Sequence, residues 1–251
     1  MVETNTASKP MSIAERAHVM HRAWRYRLKS EPGGIRFVRK HVRPGQTVLD
    51  IGANKGVYSY WLSRQVGRSG RVLAFEPQPK LIAYLHGLKA GFRFTQLEII
   101  GAALSTDAGS HELFRPDSNP IGGATLQPAS GAGTSTTVPT VVLDDCLSDR
   151  RARPVHFIKC DVEGHELDVF QGGHRMLEED RPILYFECQD FRHPDGQIGR
   201  VFPYLFELGY TGYYFDTNDQ LVPIESFDPA RHQISHEEIF LDNFAFLPPS
   251  S

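Results

Sequence analysis

The chain has 251 residues, 40% hydrophobic and 23% charged, with a formal net charge of −3 at pH 7. These values suit one large α/β domain and favour neither disorder nor a membrane class. The slightly acidic balance offers no general electrostatic basis for a nucleic-acid partner.

The polar start, residues 1–12, is expected to be disordered, and it lacks the apolar core of a signal peptide. Ser12 to Arg27 has the pattern of a helix, with Ser12 as N-cap and Glu15 at the capping-box position. Pro32-Gly33-Gly34 interrupts it, and a second helix runs to Pro44. Residues 13–44 thus form an N-terminal helical extension before a domain over 45–251, and Arg36, Arg39 and Lys40 read as its solvated face. Strands at 47–51, 71–76 and 97–101 alternate with helices at 56–66 and 78–90. That rhythm argues for a parallel sheet with right-handed crossovers. Short strands and turns follow, then a Gly-, Ser-, Thr- and Pro-rich stretch at 115–137 that suits either a lid or a surface hairpin tip.

"VPTVVLDDCL" reads as a further strand, followed by a strand at 155–160, a helix ending at Gly172-Gly173, and a strand at 182–187. A helix containing Pro203 and two closing strands, "YTGYYFD" and "NFAFLP", complete the chain, the last two as an antiparallel pair. There is no repeat, no linker and no apolar run of about 18 residues for a membrane span. Cys146, Cys160 and Cys188 show neither a CxxC pair nor zinc spacing. Reduced thiols in a soluble cytoplasmic protein are the expectation.

Two acids stand out. In "VLDIGANKG" an apolar strand carries Asp50 and turns through Gly52 and Gly56 into a helix, whose N-terminus offers unpaired amides. A dinucleotide turn would read G-x-G-x-x-G; here Ala53 and Asn54 stand where a phosphate would favour glycine, and Asp50 would repel a diphosphate. A ligand with an ammonium and a sulfonium, S-adenosylmethionine, suits the turn better. Glu76 closes the next strand, 26 positions on, where an acid accepts from ribose hydroxyls, and Pro77 fixes its exit. That contact serves NAD and S-adenosylmethionine alike.

"VLDIGANKGVYS", "AFEPQP", "GAALSTDAG" and "FIKCDVEGHELDVFQGG" resemble the FkbM family of S-adenosylmethionine-dependent methyltransferases over roughly residues 35–190. The resemblance implies a Rossmann-like class I methyltransferase fold, with a seven-stranded, mostly parallel sheet ending in an antiparallel hairpin. It also implies methyl transfer, commonly to a hydroxyl of a sugar or small natural product such as a glycoside or polyketide.

On that basis Asp50, Gly52, Ala53, Asn54 and Gly56 form the turn beneath the methionine part of the cofactor. Tyr58 and Ser59 lie within reach of cofactor or substrate, Glu76 and Pro77 stand at the ribose, and Ala102 and Ala103 run along the adenine edge. Asp161 closes the fourth parallel strand beside the transferring methyl. Methylating a hydroxyl requires a base. His165 is the formal candidate at neutral pH, while Asp161 and Glu163 point into the cleft and are favoured as the groups touching the acceptor. Glu166 reads as a partner for its helix's positive end, and Glu187 as a substrate contact; Arg192 and His193 suit a loop as well as a site. Asp161, Glu163 and Glu187 are also oxygen donors of the kind Mg²⁺ takes, but no metal is expected. An NAD-dependent oxidoreductase and a non-catalytic cofactor-binding module are the competing readings.

Overall fold

The computed structural model describes residues 11–116, 123–126, 133–150, 152–190, 196–233 and 240–249. Ser12 caps α1 (Ile13–Arg25), and the Glu15 carboxylate accepts the Ser12 N–H at 2.7 Å, completing the capping box. A π-helical turn, Tyr26–Ser30, leads to α2 (Pro32–His41). Then come β1 (Thr47–Ile51), α3 (Val57–Val66), β2 (Arg71–Phe75), α4 (Pro79–Phe92) and β3 (Leu97–Ile100). After β4 (Ala103–Leu104), β5 (Gly109–Pro116), β6 (Gly133–Val141) and α5 (Leu143–Arg150), the alternation resumes. It runs through β7 (Val155–Cys160), α6 (Glu166–Gly172), α7 (His174–Glu179), β8 (Ile183–Glu187) and α8 (Ile198–Glu207). The chain closes with β9 (Thr211–Phe215), β10 (Leu221–Pro223), α9 (Pro229–His232) and β11 (Asn243–Leu247).

The main sheet has the order β10-β9-β11-β8-β7-β1-β2-β3, parallel from β8 to β3, with β11 antiparallel to both β8 and β9. Side chains alternate along each strand, so the two faces bury separate cores. Leu49, Ile51, Ile158 and Phe186 pack with α5, α6, α7 and α8. Val48, Val72, Phe157 and Tyr185 pack with α1, α2 and α3. Asp50 and Lys159 lie in register on neighbouring strands, on the same face as Val48 and Phe157. The N-terminal helices therefore cover one face of the sheet. Phe37 of α2 lies 6.0 Å from the Phe157 ring and 5.9 Å from the Tyr185 ring.

Three expectations need correction. The sheet has eight strands among the described residues, not seven, because β10 adds an edge to β9. The last two predicted strands do pair antiparallel, but β10 and α9 intervene, so they are not a simple hairpin. "VPTVVLDDCL" is strand only to Val141: Leu143, Cys146 and Leu147 are buried at helical spacing, and the β-branched run before them masked a short helix.

The ends of the 115–137 stretch are strand arms, since β5 and β6 pair antiparallel from Gly109↔Thr140 to Pro116↔Gly133. Between them the description covers only residues 123–126, where Phe114 and Thr125 exchange backbone bonds of 2.8 and 2.9 Å. The expected disorder of the N-terminus and the roles of Arg192 and His193 fall on residues outside the description, apart from Met11 and Ser12. Among the described residues no helix is long and apolar enough to cross a membrane.

Candidate active site

The site lies at the C-terminal edge of the parallel strands, where β1 is flanked by β2, to which the chain runs next, and by β7, which it forms only after β3–β6 and α5. Ligands of open α/β sheets bind at such a reversal. Gly52 takes φ +75, and a Cβ there would collide with the Asp161 carbonyl oxygen. Only glycine lets the β1 and β7 exits come this close. The turn is tied down by Gly52 and Ala53 N–H donating to the Phe75 carbonyl at 3.1 and 3.0 Å. Gly56, also at positive φ, is the N-cap of α3, which has no side-chain cap. Asp50 therefore does not cap the helix. It is buried, its carboxylate accepts a short bond from Ser59 Oγ, and burial pushes its pKa up to about 6.

Two clefts meet at this turn. The first, about 660 Å³ and open to solvent, is lined by Gly52, Glu76, Ala102, Asp161, Glu163 and His165, among others. No lysine or arginine is among its described lining residues. Glu76 is 3% exposed and accepts from Asn54 N–H at 2.8 Å and Gln78 N–H at 3.0 Å. Burial raises its pKa to about 7 against those two bonds. Pro77, Ala103 and the described residues Gly123, Ala124 and Leu126 complete the wall.

The second cleft, about 990 Å³, is lined by the carboxylates of Asp50, Glu31 and Asp161, by the buried Lys159, and by Arg22, Arg25 and Lys55. Gly52, Asn54 and Asp161 line both clefts. Behind Asp161 sits Lys159, 2% exposed, with Nζ 3.6 Å from Asp161 Oδ2 and 3.2 Å from the Cys160 carbonyl. The ammonium also lies 5.3 and 5.2 Å from the centroids of Tyr58 and Tyr185. Burial works against its charge, but Asp161, Glu31 and Glu187 outweigh that and raise its pKa. Tyr58 Oη donates to Glu31 at 2.5 Å and lies 3.2 Å from Tyr185 Oη, which donates to Asn243 at 2.7 Å.

Residues 50–211 match the Methyltransferase FkbM domain. The chain belongs to the FkbM methyltransferase family. It is 29% identical to the hexuronic acid methyltransferase AglP of Haloferax volcanii over 156 residues, a stretch spanning 62% of each chain. It is 27% identical to the 31-O-demethyl-FK506 methyltransferase FkbM of Streptomyces tacrolimicus, covering 68% of this chain and 74% of that one. The fold is shared with the crystal structure of methyltransferase FkbM from Methylobacillus flagellatus KT, at TM-score 0.52 and 14% identity. That likeness covers 94% of this chain and 56% of the other.

The cofactor of this FkbM-family chain is S-adenosylmethionine, and the residues present fit it. A cleft with three carboxylates, Glu76, Asp161 and Glu163, and no lysine or arginine among its described lining residues suits a sulfonium and a diol better than a pyrophosphate. Membership of a methyltransferase family sets aside the NAD-dependent oxidoreductase alternative.

The structure brings most of the sequence-predicted residues together and moves several. Asp50, Ala53 and Tyr58 line the second cleft; Glu76, Pro77, Ala102, Ala103, Glu163 and His165 line the first. Ser59 is fully buried, bonded to Asp50 and in the lining of neither cleft. His165 is buried at the N-cap of α6 rather than facing solvent. Its Nε2 lies 3.2 Å from Ser105 Oγ and its Nδ1 3.3 Å from Asp168, and burial lowers its pKa. Glu163 adopts φ +56 in the turn before α6.

Glu166 is deeply buried; it accepts from Gly164 N–H and from Gln197 Nε2, both at 3.1 Å, so it holds the turn rather than merely facing a helix end. Glu187 accepts from Gln189 at 2.7 Å, and burial beside Asp161 and Asp242 pushes its pKa up to about 10. Among the described residues no three His, Cys, Asp or Glu side chains are arranged to hold a metal, so Asp161, Glu163 and Glu187 do not form a donor set.

Lys159, Glu31, Arg22, Arg25 and Tyr26 were not in the sequence-based list of site residues. Lys159 carried a signal: a cation inside the apolar run "FIKC" is as costly as the acid inside "VLDI". The others carried none, because they join the site only through the docking of α1 and α2.

Proposed function

We propose that this protein methylates a hydroxyl oxygen of a small-molecule acceptor, a sugar or a natural product. The observation that carries the reading is the junction: Asp161 lines both clefts, so a carboxylate stands where cofactor and acceptor would meet. The two relatives support the acceptor class, one named for a hexuronic acid and one for an O-demethyl natural product.

When bound, S-adenosylmethionine supplies an electrophilic methyl on sulfur and leaves as S-adenosylhomocysteine. The chain's own residues do the rest. The Gly52–Gly56 turn, whose Gly52 and Asn54 line both clefts, holds the methionine end with its ammonium toward Asp50 in the second cleft. Glu76 accepts from the ribose, and Ala102 and Ala103 leave room for the adenine. Asp161 receives the proton of the acceptor hydroxyl, with the Lys159 ammonium 3.6 Å behind it fixing the position of the carboxylate. Holding oxygen and methyl in line provides much of the rate. His165, with both ring nitrogens engaged, positions the α6 turn instead of acting as base.

Incubation with S-adenosylmethionine and a panel of glycosides, uronic acids and polyketides tests the reading by S-adenosylhomocysteine release. Tight cofactor binding with no turnover on any acceptor would favour a non-catalytic binding module.

Glu76→Ala weakens S-adenosylmethionine binding by about 1.5–3 kcal/mol, the usual value of hydrogen bonds to a charged group. The melting temperature falls as well, because the Asn54 and Gln78 amides lose their acceptor. Calorimetry and thermal unfolding on one preparation check both; unchanged affinity removes Glu76 from the ribose.

Burial holds Asp50 at about 6 and Glu76 at about 7, both above their ordinary values. Stability from a raised carboxyl pKa is complete below the unfolded pKa and is lost as pH rises through the folded one. The cofactor-free protein therefore melts lower at pH 8 than at pH 5.5. Cofactor affinity moves the opposite way, since the ammonium and diol need ionised carboxylates. A calorimetric titration across that range reads the sign directly.

A further inference from the structure

Exposed apolar side chains concentrate on one segment. Among the described residues five large hydrophobics are exposed, and four of them, Ile13, Met20, Trp24 and Leu28, lie on α1 and the π turn. With exposed Ala17 they recur at steps of four, three, four and four residues, which draws one stripe along a helix. The opposite side is the one that packs, through buried Val19 and Ala23. The stripe is real surface: Ile13 is 85% exposed and Leu28 66%.

Cations flank it. Residues 12–30 carry Arg16, Arg22, Arg25, Arg27 and Lys29 against a single carboxylate, Glu15, in a chain whose net charge is −3. Glu15 is engaged by the Ser12 cap. Arg27 stacks 4.6 Å from the Trp24 ring centroid, so its charge stays at the edge of the stripe.

We propose that this segment lies on an anionic membrane surface. An apolar stripe with a tryptophan, bordered by arginine and lysine, is what a helix needs to lie at the headgroup boundary. Each cation near such a surface adds attraction to anionic lipids, and the long stems let the charges reach the headgroups. The segment carries six charged side chains and is not apolar enough to span a bilayer, so it rests on the surface. A two-fold pairing of the stripe with a second copy would set cations against cations, which charge complementarity disfavours.

The chain contains its own reporter. Of its two tryptophans, Trp61 is buried at 4% and Trp24 is 42% exposed, so an emission shift reads Trp24. With phosphatidylcholine vesicles containing phosphatidylglycerol, the protein is expected to co-sediment and its emission to shift to the blue. Phosphatidylcholine alone, or high salt, weakens both. Ile13→Ser combined with Leu28→Ser lowers partitioning at least about tenfold, since both apolar side chains leave the lipid contact. S-adenosylmethionine affinity stays unchanged in that variant, which shows it is folded. Failure of the full chain to bind anionic vesicles overturns the proposal, as does binding undiminished in the variant. A dimer seen by light scattering and abolished by the same substitutions would assign the stripe to a second copy.

Discussion

Asp161→Asn lowers turnover by roughly 10²–10⁴-fold, the range for loss of a general base. Cofactor affinity changes far less, because Asp50 and Glu76 sit on other strands and are untouched. Asparagine keeps the shape and can still hydrogen-bond, but it takes no proton. The comparison that sharpens the result is Glu163→Gln. Glu163 lines only the first cleft, in a left-handed turn before α6. Its loss is expected to act on cofactor affinity and melting temperature more than on the transfer step. Single-turnover rate, cofactor affinity and thermal midpoint, measured on both variants, separate the roles. A larger rate loss in Glu163→Gln than in Asp161→Asn would exchange the two assignments.

Lys159→Met destabilises the fold by about 3–5 kcal/mol at pH 8, the usual result of removing one partner from a buried charge cluster. That is a large share of the roughly 5–15 kcal/mol that holds a domain together. Methionine fills the space, so the loss measures charge rather than a cavity. Lys159 is surrounded by Asp161, Glu31 and Glu187, and without the ammonium the Glu31 carboxylate must protonate or remain uncompensated. Glu187 sits at about 10 and is neutral at both pH values, so the pH dependence rests on Glu31, which burial raises above its ordinary range. The deficit therefore shrinks toward pH 5.5, as Glu31 takes up a proton. Urea unfolding of both proteins at the two pH values reads the difference. An equal deficit at both would mean that packing against Tyr58 and Tyr185, not charge, is what Lys159 contributes.

The charged lining of the second cleft bears on acceptor choice. Arg25 and Lys55 stand on different segments, the end of α1 and the glycine turn, yet line the same space. A molecule that reached across this cleft would meet Arg22, Arg25 and Lys55 together with the carboxylates of Glu31, Asp50 and Asp161 and the Lys159 ammonium. This pattern suits a polar, oxygen-rich molecule better than an apolar one.

What the sequence determined by itself was local. Apolar runs with period two, helical spacing after them, and the glycines between are properties of neighbouring residues. They placed β1, β2, β3, β7 and β8 within a residue or so, and set Asp50, Glu76, Asp161 and Glu187 at strand ends. An acid at the end of a buried strand is legible because its desolvation has no local compensation. Where two local signals competed, the reading failed: the β-branched "VPTVV" run hid α5, and polar Thr134–Thr137 concealed the arm of β6. Only the tertiary structure decided the partners. Glu31 bonds Tyr58 across 27 positions and Tyr58 meets Tyr185 across 127. Ser59 reaches Asp50 and not the ligand space, and His165 is held between Ser105 and Asp168. Those outcomes depend on which face of a helix turns to the sheet and which strands become neighbours. Both are set by the summed burial of two cores rather than by any short stretch of chain.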